Sequence, residues 1–266
     1  MKSAPFEYHR PESLGEALDL LARHGDEAKA LAGGQSLVPL LAMRLAQPAV
    51  LVDLQRLSEL RGVRREEGLR IGAMTRQSEL ERRDDLPGVV EQALPHVGHF
   101  QIRNRGTVGG SLAHMDPAAE WPALALLLDA EMTLASRRGT RLVPAEDFVI
   151  GPLTTCLEPD ELLVEVHIPA AGGRSGFAEV ERRSGDFALV GAACHNQAIA
   201  VFATGARPQR LAEAERFLAR GGRAGPELTA IAEREIEATA DIHAPAAYRK
   251  KVGAQLVNRV VEQAWS

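Results

Sequence analysis

Helical and strand periods of apolar residues alternate along the first 55 residues. Apolar side chains recur on one face of residues 13–25, and Ser13 and Glu16 have the spacing of a capping box. Gly25 follows the last periodic position and is suited to end a helix. The pattern predicts a small α/β unit with a helix at 13–25, a strand at 29–32, a helix at 37–46 and a strand at 49–54.

The middle of the chain carries further helical and strand patterns around a glycine-rich stretch. Residues 163–169 alternate apolar and polar side chains, as expected of a half-buried strand. The other predicted elements are a strand at 68–74, helices at 75–84, 87–98 and 117–128, and a hairpin of strands at 131–136 and 140–144.

A small α+β region is predicted at the C-terminal end. Residues 170–176 replace periodic positions with Gly, Ala and Ser, which is typical of a linker, and we expect a domain boundary there. Beyond this boundary the pattern predicts strands at 177–185, 187–195 and 198–204, followed by helices at 211–221, 226–240 and 248–265.

Composition and charge limit the classes of protein to which the chain can belong. Its 266 residues are 45% hydrophobic and 25% charged, so it can bury a core. A net charge of -5 with scattered Lys and Arg argues against nucleic-acid binding. The sequence shows no signal-peptide pattern and no long apolar run, which predicts a cytoplasmic protein. The two cysteines, Cys156 and Cys194, are too few for an iron–sulfur cluster and favour a reducing compartment.

Two glycine pairs are the main candidates for a ligand site. Residues 32–36 (AGGQS) end a predicted strand and precede a predicted helix, and residues 107–111 (TVGGS) carry a second pair. Amides that converge from a turn and a helix N-terminus bind anions, and glycine is needed where a Cβ would hold the ligand away. One such pair is usually an ordinary turn, whereas two can face each other across a diphosphate. The GxGxxG and GxxxxGK[ST] patterns are absent, which disfavours a doubly wound nucleotide-binding fold.

Several stretches, in order along the chain, resemble one enzyme family. They include KALAGGQSLVPLL at 29–41, QIRNRGTVGGSLAH at 101–114, VERRSGDFALVGAA at 180–193 and ADIHAPAAYRKKV at 240–252. Together they resemble the FAD-binding medium subunit of molybdenum hydroxylases, the family of carbon monoxide dehydrogenase and xanthine dehydrogenase. The resemblance runs from about residue 4 to about residue 262 and is most specific at 101–114.

The resemblance implies an α+β fold with two subdomains that clasp FAD, as in vanillyl-alcohol oxidase-like (PCMH-type) flavoproteins. A small C-terminal α+β domain, a three-stranded antiparallel sheet with helices, would follow. The implied FAD-binding domain covers residues 1–170, with subdomains at about 1–55 and 56–170. The implied second domain, at 175–266, is similar to the C-terminal domain of carbon monoxide dehydrogenase flavoproteins. The linker expected at 170–176 agrees with this division.

The resemblance also implies which residues contact FAD. Both glycine loops would wrap the diphosphate, and either Glu120 or Asp116 would bind the sugar part. Asp116 is equally well explained as a helix N-cap, and Glu120 as a solvated acid of a first helical turn. Arg182 would lie near the isoalloxazine, unless it forms a local salt bridge with Asp186. The implied contacts are Leu31, Ala32, Gly33, Gly34, Gln35, Ser36, Leu37, Thr107, Val108, Gly109, Gly110, Ser111, Asp116, Glu120, Leu162, Leu163 and Arg182.

The function implied by the resemblance is electron transfer within a heterotrimeric molybdenum hydroxylase. This chain would carry FAD, whereas molybdopterin and two [2Fe–2S] clusters would belong to a large and a small partner subunit, in a dimer of heterotrimers. FAD would take electrons from the clusters and pass them to NAD+, oxygen, a quinone or another acceptor. No side chain is expected to act as a catalytic acid or base. The molybdenum subunit would choose the substrate.

Two alternative functions stay open, and the chain departs from the family pattern at two places. A stand-alone reductase resembling the enolpyruvyl-UDP-sugar reductases would bind its own substrate, and a structural subunit would have lost FAD. Val97 stands where some relatives place an aromatic ring against the flavin, and Glu179 and Glu181 stand where some have Lys. His96 has HxxH spacing with a second histidine but no third ligand in sequence, so no metal site is predicted.

Overall fold

A parallel sheet and one amphipathic helix form the N-terminal part of the computed structural model, which describes residues 2–169 and 172–266. Ala17 and Leu21 of the helix pack against Val52 of the central strand. The second helix ends four residues earlier than expected, because the chain turns at Arg44 with a φ of 59°. The elements are β1 (Glu7–His9), α1 (Leu14–His24), β2 (Ala28–Leu31), α2 (Leu37–Ala42) and β3 (Val50–Asp53), with the strands in the order β1–β3–β2.

The start of α1 is capped as the sequence predicts, and the contribution of this cap to the free energy of unfolding can be measured. The Glu16 amide donates to Ser13 Oγ at 3.2 Å, and the Glu16 carboxylate accepts from the Glu12 amide at 2.9 Å. We expect Ser13→Ala to lower the free energy of unfolding by about 1 kcal/mol, because an N-terminal amide loses its acceptor. Urea denaturation measures this change. Ser184→Ala, at an exposed position, is the control and should leave stability unchanged.

An antiparallel sheet of five strands occupies the middle of the chain, in the order β4–β5–β10–β6–β7. The predicted hairpin of β6 and β7 and the predicted strand β10 are confirmed. The elements are β4 (Val63–Arg65), β5 (Leu69–Gly72), α3 (Gln77–Leu80), α4 (Gly88–Ala93), α5 (Phe100–Arg103), α6 (Val108–His114), α7 (Glu120–Leu127), β6 (Glu131–Ser136), β7 (Gly139–Pro144), α8 (Ala145–Phe148), β8 (Val149–Gly151), β9 (Thr154–Thr155) and β10 (Leu162–Ile168).

The helix expected at 117–128 begins three residues later, at Glu120. Residues 116–119 form a turn instead, in which the Asp116 carbonyl accepts from the Ala119 amide at 3.0 Å. The Asp116 carboxylate accepts from the Ala118 amide at 2.9 Å, so this residue caps the turn and not α7. Nearly every side chain of α7 is buried, which places the helix inside the core.

The C-terminal part is an antiparallel sheet covered by long helices. Its elements are β11 (Ser175–Glu181), β12 (Ala188–His195), β13 (Ala198–Phe202), β14 (Gln209–Arg210), α9 (Ala212–Ala219), α10 (Pro226–Glu235) and α11 (Ala246–Trp265). The three strands expected from the sequence are present, and β14 adds a fourth that is too short to produce a periodic pattern. Helix α11 packs across β11 and β12.

The middle and C-terminal parts share one hydrophobic core. Phe177 and Phe202 of the C-terminal sheet pack in the same cluster as Trp121 of α7. The expected linker begins at residues 170 and 171, which lie outside the described residues, so the domain boundary there stays a prediction. None of the described helices combines the length and the apolar character needed to cross a bilayer.

Candidate functional site

The first glycine loop, residues 32–36, connects β2 to α2 and presents free backbone amides. Within the described ranges 2–169 and 172–266, none of the amides of residues 33–37 donates a hydrogen bond to the protein. The loop is held through its carbonyls instead, since Gln55 Nε2 donates to Ala32 O at 2.7 Å and Gln35 Nε2 to Gly33 O at 3.2 Å. Amides left free beside a helix N-terminus form an anion-binding arrangement.

The second glycine loop, residues 107–111, uses its amides differently. The Val108 amide donates to Thr75 O at 3.1 Å, and the Gly109 amide to Ala73 O at 2.9 Å. The Gly110 amide donates to Thr107 Oγ1, which caps α6, at 3.1 Å. The Ser111 amide donates to Thr107 O. The first two amides fix the loop to the segment after β5, the other two cap α6 at Thr107, and none of the four is free for an anion.

The structure brings the two loops into direct contact. A Cβ added at Gly33 would lie 2.3 Å from Arg105 O and 2.8 Å from Gly106 Cα, both backbone atoms just before the second loop. A Cβ added at Gly110 would lie 3.1 Å from Ala32 Cβ. Glycine is required at Gly33 because any side chain would push the loops apart.

A cleft of about 350 Å³ opens beside the first loop. Besides loop residues it is lined by Asp53 and Gln55, which follow β3, by Arg105, and by Val38 and Pro39 of α2. Arg105 is exposed and forms no ion pair among the described residues, so its charge is available to an anion in the cleft.

Asp53 is the buried acid of this cleft. Its carboxylate accepts from the Gln55 amide at 2.9 Å and from the Tyr8 hydroxyl, and this second bond raises the pKa of Tyr8. Asp53, Gln55 and Arg105 were not among the site residues predicted from the sequence. Asp53 and Gln55 could have been found from their position at the carboxyl end of a parallel strand, because ligands bind there in open α/β sheets.

The remaining predicted residues lie at three other places. Asp116 follows α6 at the turn described above, and Leu162 and Leu163 are buried in β10. Glu120 is 4% exposed at the start of α7, next to Glu179 and His96. Burial, and then the charge of Glu179, raise the pKa of Glu120 to about 8. The expectation of a solvated Glu120 is therefore wrong.

Arg182 is exposed in the turn between β11 and β12. Among the described residues it forms no ion pair with Asp186, whose amide instead donates to Arg183 O at 2.9 Å. Val97, at the position where some relatives have an aromatic ring, is 6% exposed and packs in the core.

Comparison with known proteins identifies the family. The sequence matches the family described as the FAD-binding domain in molybdopterin dehydrogenase over residues 4–171, well over half of the chain. The chain belongs to this family. Its cofactor is FAD, and the free amides and close backbone approach of the two loops suit the diphosphate of that cofactor.

Named members of this molybdopterin dehydrogenase family match nearly the whole chain. The 6-hydroxypseudooxynicotine dehydrogenase complex subunit alpha of Paenarthrobacter nicotinovorans is 37% identical, over 99% of this chain and 96% of its own length. The carbon monoxide dehydrogenase medium chain of Hydrogenophaga pseudoflava is 36% identical, over 98% and 97%. Quinoline 2-oxidoreductase of Pseudomonas putida 86 matches in structure with a TM-score of 0.91 and 38% identity, over 99% and 98%. The expected α+β FAD-binding fold is confirmed, and the chain is an oxidoreductase component.

Proposed function

We propose that this chain is the FAD-carrying electron-transfer subunit of a molybdenum hydroxylase built from three different chains. Relatives that it matches end to end are named as a medium chain and as a subunit of a dehydrogenase complex. Its two cysteines cannot hold a [2Fe–2S] cluster, so the clusters belong to a partner. When bound, FAD would supply the redox chemistry, which is the transfer of electrons from those clusters to an external acceptor.

The free amides of residues 33–37 are the observation that carries the proposal. They lie at the N-terminus of α2, in a cleft that Arg105 also lines, and offer hydrogen-bond donors to a diphosphate. The second loop supports this arrangement through its backbone and shape, since its own amides from Val108 to Ser111 are already donated. The family resemblance implies that both loops wrap the diphosphate, and we assign the amide contacts to the first loop.

The other proposed contacts follow from burial and chain position. Glu120 is a desolvated carboxyl and is proposed to bind sugar hydroxyls of FAD, with Asp116 as the competing residue. Leu162 and Leu163 are proposed to meet the flavin through their backbone, since their side chains are buried. Arg182 is proposed to lie near the isoalloxazine, because its side chain is exposed and forms no ion pair in the part of the chain that the structure describes.

Arg105 is expected to contribute to FAD affinity through its charge. We expect Arg105→Gln to weaken FAD binding about tenfold, because a charge-assisted contact to the diphosphate is lost. Fluorescence titration of the FAD-free chain measures the dissociation constant at low and high salt, and the difference between the two proteins should shrink at high salt. Arg220→Gln, at an exposed position that does not line the cleft, should match the unmodified chain. Equal affinities of Arg105→Gln and the unmodified chain would contradict this role.

Isolation of the intact assembly tests the function. A tag on this chain in its native host should recover two further polypeptides, together with FAD, molybdenum and about four iron atoms per trimer. The isolated chain should be yellow and should not turn over NAD(P)H with a substrate of its own. Turnover by the chain alone would favour a stand-alone reductase, and a colourless chain within the assembly would favour a structural subunit.

A further inference from the structure

The outer face of α11 carries side chains with the spacing of a coiled coil. A shallow groove of about 750 Å³ runs along this face, and the residues that line it all belong to α11. Residues that alternate at intervals of three and four positions lie on one stripe of a helix, as a and d positions do. We call this stripe the α11 seam, and its midpoint lies between residues 256 and 257. Its members are Tyr248, Lys251, Gln255, Asn258, Glu262 and Trp265.

The α11 seam is complementary to itself when a second copy runs in the opposite direction. A two-fold axis through the midpoint places residues at equal distances from it opposite each other, and each pair then occurs twice. Lys251 would face Glu262 of the second copy. Within residues 2–169 and 172–266 neither side chain forms an ion pair, so both charges are available. Gln255 would face Asn258, whose Oδ1 accepts from the Gly225 amide and whose side-chain nitrogen can still donate.

Aromatic side chains lie at the two ends of the α11 seam. Tyr248 is 40% exposed and Trp265 is 42% exposed, so both present large apolar rings to solvent. The same two-fold axis brings Tyr248 opposite Trp265 of the second copy. The Arg174 guanidinium lies 5.6 Å from the centre of the Trp265 ring and supports it from within its own chain. The seam therefore has an aromatic pair at each end, with charged and amide pairs between them.

We propose that α11 docks against α11 of a second copy of this chain in an antiparallel pair. The two charges of the seam decide the direction, because a parallel pair would place Lys251 against Lys251 and Glu262 against Glu262. Polar residues at seam positions specify the orientation at a cost in stability, and one helix face makes a small interface. The association is therefore weak and reversible. The inference uses only α11 and does not depend on the function proposed for the chain.

Analytical ultracentrifugation of the full-length chain, saturated with FAD, tests this contact between about 1 µM and about 1 mM protein. We expect a monomer–dimer equilibrium that shifts toward monomer at high salt, since exposed ion pairs are screened. Lys251→Glu and Glu262→Lys should each weaken self-association at least about tenfold, because like charges then face each other twice. Glu146→Lys, at an exposed position in α8, makes the same change in net charge as Glu262→Lys and should associate like the unmodified chain.

Mixing the two charge variants separates a contact between copies from an effect within one chain. Lys251→Glu and Glu262→Lys should form a mixed dimer, because each reversed charge then meets an opposite charge on the other copy. The double variant should self-associate again for the same reason. Residues 251 and 262 are about 16 Å apart along the helix, so they cannot restore an ion pair within one chain.

A chain that stays monomeric up to about 1 mM would overturn the proposal. So would self-association that Lys251→Glu leaves unchanged, because the contact would then lie elsewhere on the chain. If Lys251→Glu instead releases another polypeptide from the intact assembly, the face belongs to that polypeptide and not to a second copy. The proposed function is tested separately, by the polypeptides and FAD recovered with the unmodified chain.

Discussion

Replacing Gly33 with alanine is expected to leave the purified chain without bound FAD. The new Cβ would lie 2.3 Å from Arg105 O, and backbone atoms cannot move aside as a flexible side chain does. The first loop must then separate from the residues before the second loop, which displaces the free amides of 33–37. Loss of two charge-assisted hydrogen bonds, at about 1.5–3 kcal/mol each, lowers FAD affinity by at least a factor of about 100.

Visible absorbance and fluorescence titration measure the FAD content and the dissociation constant of this variant. Gly151→Ala is the matched control, because a Cβ there meets no atom within 4 Å. Gly110→Ala should have a smaller effect, since its Cβ would lie 2.8 Å from the movable Thr107 Oγ1. Circular dichroism separates loss of FAD from loss of fold. Affinity of Gly33→Ala equal to that of the unmodified chain would show that the contact between the loops does not form the site.

Elements whose signals are local could be predicted from the sequence. Helix α1 carries its own cap, apolar stripe and terminal glycine, and the β6–β7 hairpin carries its own turn, so neither depends on distant residues. The helix predicted at 75–84 is only one turn long, Gln77–Leu80. The segments that form α5 and α6 carried no clear period, and β14 was too short to show one. Such elements depend on contacts with the rest of the chain.

The two glycine loops show which features cannot be predicted from neighbouring residues alone. A glycine pair predicts a turn, and the contact between the loops was also expected. The hydrogen bonds that the Val108 and Gly109 amides donate were not expected. Their acceptors, the carbonyls of Thr75 and Ala73, lie in a different part of the sequence. The proximity of His96 to Glu179 and Glu181 was not predicted for the same reason, since these residues belong to segments that are distant in the sequence.

Glu120→Gln is expected to change how stability depends on pH. Burial raises the pKa of Glu120 to about 8, whereas in the unfolded chain this carboxyl has its ordinary pKa of about 4.5. Between these values the folded chain holds a proton that the unfolded chain releases, so stability falls as pH rises from about 4.5 to 8. The loss amounts to about 4 kcal/mol for this group alone. A neutral amide does not titrate, and the variant should therefore lose this part of the pH dependence.

Urea denaturation of the FAD-free chain at pH 5, 6.5 and 8 measures this effect. The difference in unfolding free energy between Glu120→Gln and the unmodified chain should shift in favour of the variant as pH rises. Glu227→Gln, an exposed acid in the first turn of α10, controls for the loss of one negative charge and should run parallel to the unmodified chain. Parallel curves for Glu120→Gln as well would mean that Glu120 is ionised in the folded chain, and that another group compensates its burial.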